Sequence, residues 1–335
     1  MYTKIVRDVN ESQIARCIMN KKKFTKQEIA KETGLSFPTA GKTIDSFVDR
    51  KMVLEIGVDK NAVGGRKPNL YRLNEAFAYG LLMFFDRNCF SCEVINAVGK
   101  SVEKFVQPVK PEGYLATIRE IISMKLADNP RIISIAIGVN GGAAEGKILY
   151  IDGYDELVNC ELKRIIEQEY GLETAVENNM RAVVYGMADR NQLLKEETVV
   201  CLQIADNGPG CGILVNGKPL SGFAGLVGEV GYLPGYGDKN MQTIALSHFH
   251  DTDVTDYFAR LITSVCVFLN PRQITLYKNP YIHDTDRLQK KCMDYLPEIA
   301  VPRILLSEDY EKDYMAGLSR LVLNCFYPSY HIIKD

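Results

Sequence analysis

Apolar positions at the start of the chain recur at helical spacing in three short bursts. Ile14, Cys17 and Ile18 mark one helix, KKKFT interrupts it, and KQEIAKET predicts a second, with Thr25 placed to cap its start and Gly34 to close it. The tight turn TGLS leads into a third helix, from an N-cap at Ser36 through roughly Arg50, with Ile44, Phe47 and Val48 facing inward. Gly41 lies in its interior and costs roughly 1 kcal/mol relative to Ala, so this helix is expected to firm up on binding. MVLEIGV and DKNAVGGRKPNLYRLN then predict two short strands separated by a Gly-rich basic loop. From Tyr79 the pattern changes. YGLLMFF, FSCEVINAVGK, RIISIAIGVNGG, ETAVENN, TVVCLQIA and RQITLYK read as strands, with helices at GYLATIREIISMKLA, NCELKRIIEQEYGL and TDYFARLITSVCVFLNP between them. That alternation predicts an α/β body, and no short internal repeat is visible.

Two helices joined by a short Gly turn form a helix-turn-helix, but they also build bundles that never meet DNA. Charge separates these readings. Residues 1–75 carry 15 Lys and Arg against 9 Asp and Glu, whereas residues 76–335 carry 25 against 33, a split that the whole-chain net charge of −2 hides. A cationic head on an anionic body is drawn to duplex DNA and oriented by it. In such a docking the N-terminal end of the third helix enters the major groove, which makes Ser36, Phe37, Thr39, Lys42 and Thr43 the candidate contacts. Lys42 suits a phosphate and Thr39 a base edge or methyl group. The loop reads as a wing: Gly64 and Gly65 allow close backbone approach, while Arg66 and Lys67 project charge suited to a narrow minor groove. The competing reading of that loop is an interdomain linker with solvated charges.

Length and composition bound the rest. A chain of 335 residues, 46% hydrophobic and 24% charged, suits a small domain plus a larger body that itself divides in two, with little disorder. No run approaches the ~18 uncharged apolar residues of a membrane helix, and MYTKIVRDVNESQ lacks a signal peptide's apolar core, so a cytoplasmic protein is expected. The 9 cysteines show no disulfide-like or zinc-like grouping, and the lone CxxC of Cys89 and Cys92 reads as buried thiols in an apolar strand. His248 and His250 read as surface or capping residues, and neither metal nor cofactor is expected.

Several dispersed segments together carry a specific resemblance. TGLSFPTAGKTIDSFVDRKMV followed by GGRKP, then IAIGVNGG, VENNMRAVVYG, DNGPGCGILVNGKPLSGFAGLVGEVGY and FLNPRQITLY, are similar in order and spacing to the ROK family (repressor, open reading frame, kinase) over essentially the whole length. The resemblance implies a multidomain protein: a small α(+β) winged helix-turn-helix plus an α/β two-lobed sugar-kinase or actin-like (ribonuclease H-like) body. It also implies a ligand cleft between the lobes and a homodimer or homotetramer. The expected division is residues 1–75 for the head, 76–190 for the first lobe and 191–311 for the second, with a C-terminal helix at about 312–335 returning to the first lobe.

Against the family's kinase pattern the chemistry is damaged. Phosphoryl transfer needs a phosphate cradle, a metal and a carboxylate that takes the sugar hydroxyl's proton. Where the family's first phosphate loop reads approximately DIGGT, this chain has FFDRN from Phe84 to Asn88, so Asp86 and Arg87 replace both glycines. In the family's ENDAN motif the catalytic Asp follows Asn; here Glu177 and Asn178 match and Asn179 stands at the base position. The second phosphate segment keeps Gly208, Gly210 and Gly212 but has Asn207 in place of Thr, and Tyr277 and Lys278 replace the adenosine-side glycines. The zinc cluster, approximately CxCGxxGC, is absent, with MQTIALSHFH in its region. The body is therefore read as a non-enzyme.

Sugar recognition in the family uses a PG turn, the Asn and Asp of ENDAN, and the Glu and His of GEIGH. Carried over by position, Gly141 matches the turn's glycine and Asn140 replaces its proline; Asn178 and Glu229 match, while Asn179 and Tyr232 depart. Amides and phenols also hydrogen-bond hydroxyls, so a sugar or sugar-phosphate effector is compatible with this set. The resulting expectation is a DNA-binding repressor of carbohydrate genes whose partner is a double-stranded DNA operator. A ligand-independent architectural dimer and an active sugar kinase are the competing readings.

Overall fold

In the computed structural model, residues 2–19, 21–60, 67–86, 88–151, 153–196, 198–205, 208–250 and 252–327 are described. Gly64, Gly65 and Arg66, expected in a wing, lie outside them together with Arg87 and Asn207, as do the Asp86 side chain and the chain beyond Tyr327.

The head follows from its caps. Helix α1 spans Tyr2–Met19, α2 Lys26–Thr33 and α3 Phe37–Asp49. Thr25 begins α2 with a reciprocal capping box, its hydroxyl accepting from the Glu28 amide while the Glu28 carboxylate accepts from the Thr25 amide. Gly34 ends α2 in the left-handed region at φ 69°, which turns the chain into α3. Strands β1 (Val53–Val58) and β2 (Asn69–Leu73) pair antiparallel and form the base of the wing. Ile14, Ile18, Phe24, Ile29, Ile44 and Phe47 bury completely between these elements, whereas Val48 is only partly covered.

The body holds two sheets. Strands β3 (Tyr79–Asp86), β4 (Cys89–Asn96) and β5 (Ser101–Pro108) form an antiparallel meander; helix α4 (Tyr114–Asp128) precedes β6 (Ile132–Val139). A hairpin of β7 (Gly141–Ala144) and β8 (Lys147–Ile151), then helix α5 (Leu162–Tyr170), lead to β9 (Glu173–Asn178). The sheet order is β5-β4-β3-β6-β9, with β3, β6 and β9 parallel. Helix α6 (Asn179–Arg190) crosses to the second sheet, built from β10 (Thr198–Ala205), β11 (Gly208–Val215) and β12 (Lys218–Pro219). Helices α7 (Met241–Leu246) and α8 (Val254–Leu269), strand β13 (Gln273–Tyr277), helix α9 (Thr285–Cys292), strand β14 (Arg303–Ser307) and helix α10 (Tyr310–Phe326) complete the chain. The second order, β12-β11-β10-β13-β14, repeats the topology of the first. The internal repeat that the sequence hides is thus present in the connectivity.

Helices α6 and α10 pack against each other between the two sheets, α10 on β3 and β6, α6 on β10 and β11. Their approach requires two glycines. A Cβ on Gly186 would lie 1.9 Å from the Asp313 carbonyl oxygen, and one on Gly317 1.9 Å from the Ala182 carbonyl oxygen. Each helix therefore presses its backbone on the other's. One apolar cluster runs from the head through Leu73 and Ala78 to Val322, Phe326 and Tyr327 of the C-terminal segment and on into α6. Phe77 packs against Phe326 and Tyr327, with ring centroids 6.3 and 6.0 Å away, and the Tyr327 hydroxyl donates to the Ala97 carbonyl at 3.1 Å.

Candidate nucleic-acid interface and ligand cleft

On the head, capping chemistry sets what α3 presents. The Ser36 hydroxyl accepts from the Thr39 amide at 3.3 Å and sits 2.8 Å from the Thr39 hydroxyl, fixing the first turn. Ala40, Gly41, Ile44 and Phe47 face the core, leaving Phe37 and Lys42 exposed and Thr39 and Thr43 half-exposed on the opposite side. Lys67 is exposed at the base of the wing, where its ammonium donates to the Lys60 carbonyl at 3.3 Å. Sequence reasoning missed the neighbour of α3. A groove of about 400 Å³ runs between α1 and α3, with Arg7 and Asn10 on one wall and Thr39, Lys42, Thr43 and Ser46 on the other. Arg7 is held there by Glu11 at 3.0 Å, and Glu11 is held in turn by Arg50 at 3.0 Å. The i, i+4 spacing of Arg7 and Glu11 was the available signal.

In the body, the six residues expected at the cleft come together. Asn140, Gly141, Asn178, Asn179, Glu229 and Tyr232 line one cavity between the sheets, although more than 90 residues of sequence separate the first from the last. Tyr150, Gln203 and Gln242 join them from β8, β10 and α7, segments for which no motif was available. Asn178 is a brace for the floor. It caps α6 by accepting from the Arg181 amide at 3.1 Å, and its own amide donates to the Gly141 carbonyl at 2.9 Å. Arg181, almost wholly buried, pairs with Glu177 at 2.5 Å and donates to the carbonyls of Ala143 and Gly225, tying the cleft's walls together. Tyr150 faces Glu229; burial, and then the charge of that carboxylate, push the phenol well above its ordinary range. Among the described lining residues none is cationic, and Glu229 is the sole acid.

Gly210 and Gly212, in the segment that matches the family's second phosphate loop, have a packing reason. A Cβ at Gly212 would stand 2.4 Å from the Met180 carbonyl oxygen and one at Gly210 2.8 Å from Met180 Cγ, so these glycines let β11 lie against α6.

Aromatic side chains crowd the neighbouring interlobe space. Phe84, from the FFDRN stretch, packs on Tyr314 at 4.9 Å between centroids; Tyr310 lies 6.0 Å from Tyr314 and 5.3 Å from Tyr277. The Tyr277 hydroxyl donates to buried Asp313 at 2.7 Å, and Arg190 pairs with the same carboxylate. Asn179, at the base position, donates to the Tyr310 hydroxyl at 3.3 Å.

At the start of α8 a carboxylate joins the Tyr236 loop to α8 and α9. Asp256 accepts from the Tyr236 hydroxyl, from the Tyr295 hydroxyl at 2.5 Å and from Arg260 at 2.8 Å, with the Lys291 ammonium 3.2 Å away. The Arg260 guanidinium lies over the rings of Tyr236 at 4.7 Å and Tyr295 at 5.1 Å. Burial alone would raise the Asp256 carboxyl, but these donors outweigh it and hold it well below the usual carboxylate range. His248 and His250 are exposed. Cys92 is buried, and that burial pushes its thiol up to about 12.

Residues 90–241 match the model of the ROK family. That stretch, somewhat under half of the chain, is a ROK family domain. It is 25% identical over 240 residues to the xylose repressor of Caldicellulosiruptor bescii, an alignment covering 68% of this chain and 59% of that protein. The chain thus spans about three fifths of the length of that curated relative. Its fold matches the crystal structure of a ROK family transcriptional regulator, a homologue of the E. coli MLC protein. The TM-score is 0.78 and the identity 17%, over 96% of this chain and 97% of the other. The ROK hexokinase of Thermus thermophilus matches at a TM-score of 0.57 and 17% identity, over 72% of this chain and 97% of the hexokinase. No helix among the described residues is long and apolar enough to cross a membrane.

Proposed function

We propose that this ROK-family chain is a sugar-responsive DNA-binding repressor whose body does not transfer phosphoryl groups. The observation that carries the reading is the division of the interlobe space. One half gathers polar groups fit for hydroxyls, while the other is filled by Phe84, Tyr277, Tyr310 and Tyr314. Asn179 has no useful basicity near neutral pH, and loss of a general base typically removes 10²–10⁴-fold of rate.

The lining favours a neutral sugar over a sugar phosphate, because no cation among its described residues would meet a phosphate and Glu229 would repel one. The related xylose repressors make xylose the first sugar to test. The cavity measures about 70 Å³, roughly half of the ~150 Å³ that takes up a benzene ring. A pyranose therefore needs a more open arrangement of the lobes than this one. That difference is what a switch requires: a ligand shifts an equilibrium only by its differential affinity for two states, and a ~100-fold change in operator affinity takes about 2.7 kcal/mol. Helix α10 spans the distance, with Tyr310 bonded to Asn179 at one end and Phe326 and Tyr327 packed against Phe77 beside the head at the other. In a two-fold assembly the recognition helices would sit one DNA turn apart, ~34–36 Å.

Two measurements test the proposal. Lys42→Ala and Arg66→Ala are expected to weaken duplex binding and flatten its salt dependence, each by about one unit of log–log slope; unchanged slopes would remove both residues from the interface. With ATP and a sugar panel no turnover is expected, and turnover abolished by Glu229→Gln would establish a kinase instead.

A further inference from the structure

The hairpin of β7 and β8 delivers to the cleft a phenol whose hydroxyl has no hydrogen-bond partner. Tyr150 lies opposite Gly142 in the register of the hairpin, and a Cβ on Gly142 would stand 2.1 Å from Tyr150 Cε1. The ring therefore rests on bare backbone that only glycine leaves open, which fixes its direction. Its hydroxyl is sealed from solvent and makes no hydrogen bond among the described residues. Burial, and then the nearby Glu229 carboxylate, push the phenol above its ordinary range, yet that carboxylate is not placed to accept from it. The amides of the asparagines beside it are already engaged. Asn140 donates to the Phe85 carbonyl at 3.4 Å, Asn178 to the Gly141 carbonyl and Asn179 to the Tyr310 hydroxyl. A buried donor without an acceptor destabilises a fold, so a native chain that keeps one calls for an explanation.

We propose that Tyr150 and Glu229 together read one hydroxyl of a neutral ligand, the phenol donating to its oxygen and the carboxylate accepting from its O–H. A donor that faces an acceptor without bonding it is completed by a group that accepts and donates at once, and a hydroxyl does both from a single atom. An ether oxygen gives nothing to Glu229, and a phosphate is repelled by it.

The assignment rests on the sugar-responsive function proposed above and sharpens it. A site built to hydrogen-bond a hydroxyl rejects an analogue that lacks it far more strongly than an apolar pocket rejects a missing methylene. The position of hydroxyls on the ring thus decides which sugar binds. Tyr150 belongs to a hairpin inserted between β6 and β9 of the first sheet, while Glu229 follows β12 of the second. A shared hydroxyl ties together groups from both halves of the body, which gives the ligand the preference for one arrangement that a switch requires.

Thermal melts and calorimetry on the full chain test the assignment. Without ligand, Tyr150→Phe is expected to melt at or above the wild-type temperature, because the hydroxyl it removes has no partner. Tyr257→Phe, which deletes a buried hydroxyl donating to the Met241 carbonyl at 3.0 Å, should melt about 2–4 °C lower. In calorimetry with xylose and a panel of other neutral sugars, wild type is expected to bind at least one, and Tyr150→Phe to bind it about tenfold more weakly. Among the monodeoxy forms of that sugar, loss of one hydroxyl should cost wild type about tenfold or more and Tyr150→Phe little, since both changes remove the same contact. A tyrosine that only shapes the cleft would give additive losses at every hydroxyl. A Tyr150→Phe protein that melts as low as Tyr257→Phe, that keeps wild-type sugar affinity, or whose losses add at every position would overturn the assignment alone. A wild type that binds no sugar of the panel would remove it together with the reading on which it rests.

Discussion

Asn179 shows how one residue changes the use of a site. An amide at the position of the family's base cannot accept the sugar proton usefully, but it can hold Tyr310, and through Tyr310 it touches the end of α10. Tyr310→Phe removes that bond while keeping the ring. Sugar affinity measured by calorimetry is expected to stay within about threefold, whereas the effect of sugar on duplex affinity should fall towards none; an undiminished response would take Tyr310 out of the path. The residue scale was also where the sequence was most legible. Motif positions alone brought Asn140, Gly141, Asn178, Asn179, Glu229 and Tyr232 to one cavity. What motif spacing does not reveal is which atoms are already engaged, so Asn178 emerged as a brace only once its two hydrogen bonds were seen. Tyr150 and Gln242 carry no local pattern and reach the cleft through tertiary packing.

At the scale of elements, caps and breakers were readable because their chemistry is local. Thr25, Gly34 and Ser36 bound α2 and α3 where expected. Strand β5 was not read, because SVEKFVQP is an edge strand whose charged residues mask its alternation, and β7 was not read because GGAA lacks β-branched residues. Gly41 proves different from Gly317. A Cβ at Gly41 would meet only Lys26 Cδ at 3.9 Å, so Gly41→Ala is expected to raise stability by about 0.5–1 kcal/mol in thermal melts. Helix α3 runs unbroken through Gly41. Gly317→Ala should instead cost about 2 kcal/mol or more, as its Cβ would strike the backbone of α6. Equal effects of the two substitutions would refute this distinction.

Asp256 joins α8 to the Tyr236 loop and to α9. Because its folded pKa is depressed, its contribution to stability is complete above the unfolded value of ~3.9 and is lost as pH falls below that value towards the depressed folded one. Asp256→Asn is expected to destabilise the chain at pH 7 and to flatten the dependence of denaturant midpoint on pH below about pH 5. An unaltered acid profile would place the depressed carboxyl elsewhere.

For the whole molecule, the two sheets of like topology enclose a cleft lined by polar groups, while a continuous core ties that body to a head with an outward-facing third helix. The charge asymmetry between head and body was legible from the sequence; the core that joins them was not, since Phe77 and Tyr327 lie some 250 positions apart. The central claim is that the head reads DNA under control of the cleft. Its most direct measurement is selection of duplexes from a random pool by the full chain, with and without xylose and other neutral sugars. The account predicts enrichment of a two-fold-symmetric sequence with half-sites one turn apart, lost in the presence of at least one sugar. A pool that stays unenriched, or enrichment that persists unchanged with every sugar and in the Lys42→Ala, Arg66→Ala double variant, would contradict it.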